Sequence, residues 1–216
     1  MRYAIGEILL VVIGILIALS INNWNEHRKE KLIEDKLLSE LIIDLKGDLE
    51  QMNQAKTTGN RIIKAYESIV YSLENDLQMS DSLAQHFNYI TTIFIWFNPN
   101  QSTYENLKSI GFTILSNDNI RKEIQNLYGV EYRSFEKRQE LFNSEYLQTL
   151  DPLQSEYLII SKGNFPRDYN ALKDNFLFIN TLNNMKALHS WNLHSISDFN
   201  KTISKLIADI ETERIK

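Results

Sequence analysis

From Ala4 to Ile21 the chain reads AIGEILLVVIGILIALSI, and the twelve positions Ile8 to Leu19 carry no polar side chain. As a helix these eighteen residues extend about 27 Å at 1.5 Å per residue, close to the thickness of a bilayer's hydrocarbon core. Trp24 follows directly, beside Asn22, Asn23 and Asn25, where indoles favour a membrane interface. The run therefore predicts a transmembrane helix over residues 4–22. Two other readings compete: a buried helix of a soluble protein, and a cleaved signal peptide whose small-x-small site would be Ala18-Leu19-Ser20. At 100° per residue Glu7, Val11, Gly14, Ala18 and Asn22 share one narrow face. Gly14 and Ala18 would let a second helix approach closely, and Glu7 would then find a protein partner, so Glu7, Gly14 and Ala18 are the expected transmembrane packing residues.

The stretch Tyr3 to Glu26, YAIGEILLVVIGILIALSINNWNE, resembles the opening of a family of uncharacterised single-span membrane proteins of Gram-negative bacteria, a domain of unknown function. Ser102 to Gly111, STYENLKSIG, with the Asn-rich helix start at Asn117, is similar to a second recurring segment of that family, and Leu206 to Glu211 resembles its tail. The resemblance implies architecture and no chemistry. Counting charges beside the span, Arg2 before it against Arg28, Lys29 and Lys31 after it, would keep the domain in the cytoplasm. Family members commonly carry a basic stretch ahead of the apolar run, which implies an exported domain. The expectation is an inner-membrane anchor with a periplasmic domain.

Working outward, 216 residues at 43% hydrophobic and 24% charged suffice for one buried core. The net charge of -5, with both signs interleaved, lacks the clustered basic face that a phosphate backbone requires, so no nucleic-acid partner is expected. Cysteine is absent, which removes disulfides, zinc-thiolate sites and thiol catalysis. Seven glycines and three prolines are too few turn-makers for a many-stranded β fold.

Beyond the span, Leu38, Leu41 or Ile42, Leu45, Leu49 and Met52 recur at helical steps, and Thr57-Thr58-Gly59-Asn60 is an expected kink before Ile62, Tyr66, Ile69 and Leu73 resume the stripe. A helix begins at Ser80-Asp81 and leads into the apolar stretch Tyr89 to Phe97, read as a buried helix end rather than a strand. Ser102 and Glu105 have the spacing of a capping box, and Gly111 closes that helix. Asn117-Asp118 opens a long helix with a stripe from Ile120 through Tyr128, Tyr132, Phe135, Phe142 and Tyr146 to Leu150, ended by Asp151-Pro152; residues 152–170 read as an irregular connection. The last helix or helix pair carries Leu182, Met185, Leu193, Ile196, Phe199, Ile203, Leu206, Ile207 and Ile210. Such segments bury their stripes only against one another. The expected fold is mainly α: a flank at 1–3, a transmembrane helix at 4–22 and a soluble antiparallel helical bundle of long amphipathic helices at 23–216.

Sites are few. His189 and His194 flank Trp191, but five residues set the imidazoles about 140° apart, wrong for ligands on one helix, so no metal is expected. His27 and His86 are isolated. The acidic pairs Glu34-Asp35 and Asp44 with Asp48 read as solvated helix faces salted with lysine. No nucleophile elbow or phosphate loop is present, and neither enzyme activity nor a cofactor is expected. Trp96, Phe97 and Tyr104, beside Pro99, form either a structural corner, the favoured reading, or the lip of a partner or ligand site. The expected role is a membrane-anchored interaction or scaffold protein, a homo-oligomer or the partner of another envelope protein. The alternative is a ligand-sensing bundle with an aromatic cleft, acting through a partner.

Overall fold

The computed structural model describes residues 2–90 and 97–215, with side chains from residue 10 onward. Helix α1 (Arg2–Glu74) is continuous over 73 residues. The expected kink at Thr57–Asn60 does not break it: Gly59 is buried within the helix, and Thr57 Oγ1 donates back to the Asn53 carbonyl oxygen, staying inside the helical ladder. Helix α2 (Asp81–Tyr89) starts where Ser80 accepts the Leu83 amide. Helix α3 (Ser102–Ile110) ends at Gly111, whose φ of 104° a side chain would resist. Helix α4 (Asp118–Asn126) is capped by Asn117, runs through one π-helical turn (Leu127–Glu131) and continues as α5 (Tyr132–Tyr157).

Pro152 lies inside α5, so the expected stop at Asp151-Pro152 is corrected. Leu150, Leu153 and Gln154 are buried on either side of it, and that packing, with Gln154 held by Tyr146 Oη at 2.8 Å, carries the helix past the lost amide. The connection that follows holds a two-residue antiparallel ladder, β1 (Leu158–Ile159) on β2 (Phe165–Pro166), and a short α6 (Tyr169–Lys173). Helix α7 (Phe176–Arg214) then returns in one piece of 39 residues, with all nine stripe positions expected for it buried.

Cross-links fix the directions. Asp35 pairs with Arg214, Lys46 with Glu211 and Asn53 with Asn200, so α7 runs antiparallel to α1. Lys205 reaches Glu123 while Phe199 packs on Phe135 and His189 on Phe142, so α7 is also antiparallel to α4 and α5. The segment between α1 and α4 descends in pieces alongside α1: Asn100 meets Asp48, Thr103 meets Asp44, and Ser116 meets Glu34. Three long limbs and one broken limb thus alternate in direction and enclose two apolar clusters. One lies around Leu41, Leu45, Tyr132, Phe135 and Ile203, the other around Tyr66, Ile69, Phe87, Leu150 and Phe178.

The first third of α1 takes no part in this head. From Leu10 to Ile33 every residue is exposed except the half-buried Asn25. Among the described residues no helix is long and apolar enough to cross a membrane, so the transmembrane helix expected over 4–22 is not supported there. The described apolar side chains run from Leu10 to Ile21, where the polar residues Asn22 and Asn23 begin.

Candidate functional site

Two regions bear on function: a buried acidic ladder on α1, and the unpartnered arm with the grooves at its root.

Asp44 and Asp48 overturn the reading of a solvated acidic face. Their relative exposures are 7% and 0%. Asp44 Oδ2 accepts the Thr103 amide at 3.2 Å, Thr103 Oγ1 at 2.5 Å and Ser102 Oγ at 3.3 Å, while Oδ1 accepts Asn100 Nδ2 at 2.6 Å. This carboxylate stands where the positive end of the α3 dipole favours an anion. It also displaces the expected capping box: Ser102 lies inside α3, its hydroxyl is turned to Asp44, and Gln101 at the cap position makes no side-chain cap. Asp48 accepts the Asn100 amide at 3.0 Å and the Tyr132 hydroxyl at 2.7 Å, and Tyr128 Oη donates to the Asn100 carbonyl oxygen. Burial raises the Asp48 carboxyl to about 6, opposed by the donors from Tyr132 and Asn100 and assisted by the Asp44 charge. Burial likewise pushes the Tyr132 phenol up, so it stays protonated as a donor.

Glu34 repeats the arrangement ten residues earlier. It is buried, and its Oε1 accepts the Ser116 amide at 2.6 Å and the Ser116 hydroxyl at 2.8 Å; the expectation that it faces solvent is corrected as well. Asp35 is exposed and bound to Arg214, which holds its carboxyl below the ordinary value. Asp44, Asp48 and Glu34 use their acceptors to hold the irregular limb against α1, whereas Asp35 is tied to α7.

Phe97 is a core residue, edge-on to Tyr132 and Phe135. Tyr104 is half-buried and stacks on Tyr128 at 4.5 Å. Trp96 lies outside the described residues. Phe97 and Tyr104 thus both pack against rings of the limb that runs from α4 to α5. Tyr128, Tyr132, Phe135 and Tyr146 are buried and Phe142 packs on His189, so the rings that might have lined a ligand cleft fill the core instead.

The two histidines on α7 part company. His189 is buried between the Tyr66 and Phe142 rings, and burial lowers its pKa to about 4; His194 is exposed beside Asp198.

On the arm, nine large aliphatic side chains between Leu10 and Ile21 are 45% to 71% exposed, and they point to all sides of the helix. Ala18 is exposed and a Cβ added at Gly14 would meet nothing within 4 Å; the Glu7 side chain lies outside the described residues. At the root of the arm a groove of about 540 Å³ opens between α1 and the end of α7, its α1 wall formed by Trp24, His27, Arg28, Lys31, Leu32, Glu34, Asp35 and Leu38, with Ser116, Glu213 and Arg214 opposite. Composition alone did not mark this groove, because it depends on where α7 ends.

No curated protein and no solved structure matches the chain. The model of a Family of unknown function (DUF6090) matches residues 7–160, from the apolar arm through the acidic ladder to the end of α5 and β1, and the chain belongs to that family.

Proposed function

We propose that the protein is a membrane-anchored interaction protein of the bacterial envelope, with the N-terminal segment 4–22 in the bilayer and the four-limbed head presenting its surface to another envelope protein or to a second copy. The observation that carries this reading is the exposure of the aliphatic side chains from Leu10 to Ile21. A helix apolar on every side belongs in a large core or in lipid, and the head leaves this one uncovered. In sequence the apolar run extends back to Ala4, beyond the described side chains, giving about 27 Å of helix. What supports an interaction role is that the buried carboxylates Asp44, Asp48 and Glu34 are engaged in holding the fold. Placement of the head in the periplasm rests on the resemblance noted from the sequence.

Cross-linking in intact membranes followed by purification of the full chain tests the role. Recovery of one defined partner, or of a second copy, in fixed proportion supports it. A chain recovered alone at every cross-linker length counts against it.

A further inference from the structure

Four large aliphatic side chains on α1, Leu10, Ile21, Leu32 and Ile43, recur every eleven residues and are 71%, 61%, 66% and 68% exposed. Eleven residues close three helical turns to within about 20°, so the four share an arc of about 60° along one side of the helix. The side that packs into the head is turned the other way: Leu41, Leu45, Asp48 and Met52 stand roughly 140° to 200° around the helix from Ile43, and all four are buried. Gly14 and Gly47 lie on the same line as the aliphatic series, and a Cβ added at either would meet nothing within 4 Å. Between the aliphatic positions the line carries Asn25 and Lys36, with Lys29 and Glu40 on its flank. Lys36 is compensated within its own helix by Glu40 at 3.8 Å, so it brings no net charge to the line.

An apolar repeat of eleven residues is the pattern of a helix that winds on another helix with a slight right-handed twist. Leu32 and Ile43 stand about 17 and 33 Å beyond Ile21 along the axis, outside the hydrocarbon core, whereas Leu10 and Ile21 belong to the segment read as lying in the bilayer. A partner that covers the whole line leaves the bilayer as an unbroken helix and follows α1 along the outside of the head. Helix α1 is itself of that kind, continuous over 73 residues. Two copies anchored by the same segment leave the membrane in the same direction, and a two-fold axis along the membrane normal sets each residue of the line opposite its own counterpart. Asn25 then lies inside the seam, where an asparagine fixes the register of paired helices.

We propose that the side of α1 turned away from the head is the contact surface for a second copy of this chain. The two α1 helices run parallel and in register from the bilayer to the level of Gly47, and Leu32 and Ile43 of each meet their counterparts outside the membrane. This rests on the membrane-anchored reading above and names the second copy as the partner.

The sequence contains no cysteine, so single-cysteine variants of the full chain report one position each. Leu32→Cys and Ile43→Cys replace exposed residues and leave both apolar clusters intact. Glu30→Cys and Lys31→Cys are exposed at nearly the height of Leu32 but point about 160° and 100° away from it. Membranes carrying each variant are oxidised mildly and run on non-reducing gels. A disulfide needs Cα atoms within about 7 Å of each other, so a reducible band of twice the chain mass is expected for Leu32→Cys and Ile43→Cys, and only background for Glu30→Cys and Lys31→Cys. Adding Leu32→Glu to Ile43→Cys is expected to lower its dimer yield several-fold while the circular dichroism of the head is unchanged. Equal yields at all four positions overturn the paired surface, and so does the absence of dimer at both Leu32→Cys and Ile43→Cys. A dimer at Ala18→Cys alone would end the pairing at the membrane and overturn its extension along the head. A reducible band of a different mass would assign the line to another protein and overturn self-pairing. Failure of the chain to sediment with membranes overturns the anchored reading itself.

Discussion

The Tyr132 hydroxyl donates to Asp48 Oδ2 at 2.7 Å, joining α5 to α1 across 84 residues of sequence. The same carboxylate holds the Asn100 amide at the turn that leads into α3. A single buried side chain thus ties three of the four limbs at one level.

Tyr132→Phe removes one donor from a buried carboxylate and leaves the ring in place. The expected loss is about 1–3 kcal/mol of stability, read as a lower denaturant midpoint for the head in near-ultraviolet circular dichroism. An unchanged midpoint would mean that the pair contributes nothing net.

Asp48 and His189 give opposite pH dependences. The Asp48 carboxyl rises from 3.8 to about 6 on folding, so its contribution is present below 3.8 and is lost as pH rises through 6. His189 falls from 6.5 to about 4, so its contribution is present above 6.5 and is lost as pH falls through 4. Each amounts to about 3 kcal/mol at most over its window. Asp48→Asn leaves stability rising more steeply with pH between 4 and 6.5, and His189→Leu leaves it falling. Denaturation midpoints at half-unit pH steps for the two variants should diverge in slope; parallel curves would refute the assignment.

Gly111→Ala forces a side chain onto a backbone with φ of 104°. The added Cβ meets only Thr113 Oγ1 at 3.7 Å, so the cost is torsional rather than steric. About 1–2 kcal/mol is expected, visible as a drop in Tm, and an unchanged Tm would mean that the turn relaxes.

Gly14→Ile lies on the open side of the arm, where nothing in the head is within reach. Head stability is expected to stay the same while cross-linked oligomers in the membrane decline. Oligomers of undiminished yield would remove Glu7, Gly14 and Ala18 as a packing face.

The apolar stripes were legible because long helices repeat a simple period: every stripe position read for α7 from Leu182 to Ile210 is buried, and so is the series Ile120, Ile124, Leu127, Tyr128, Tyr132 and Phe135. The acidic ladder was misread because carboxylates among lysines look like a solvated face. A finer signal was present: Asp48 sits three residues after Leu45 and four before Met52, on the buried stripe itself. Partners from distant segments decided the rest. Asp44 supplies the α3 cap that Ser102 and Glu105 were expected to make, and no local spacing announces a cap delivered from 59 residues away. Of the corner, the packing of Phe97 and Tyr104 follows from aromatic clustering, whereas the groove at Trp24 depends on α7 ending at Arg214.

Extraction of membranes by alkaline carbonate tests the central claim, that the first two dozen residues hold the chain in lipid. Full-length protein that stays in the pellet after ultracentrifugation, and enters the supernatant only with detergent, is the predicted result. Full-length protein released into the supernatant by carbonate, or already there in a detergent-free lysate, would contradict it.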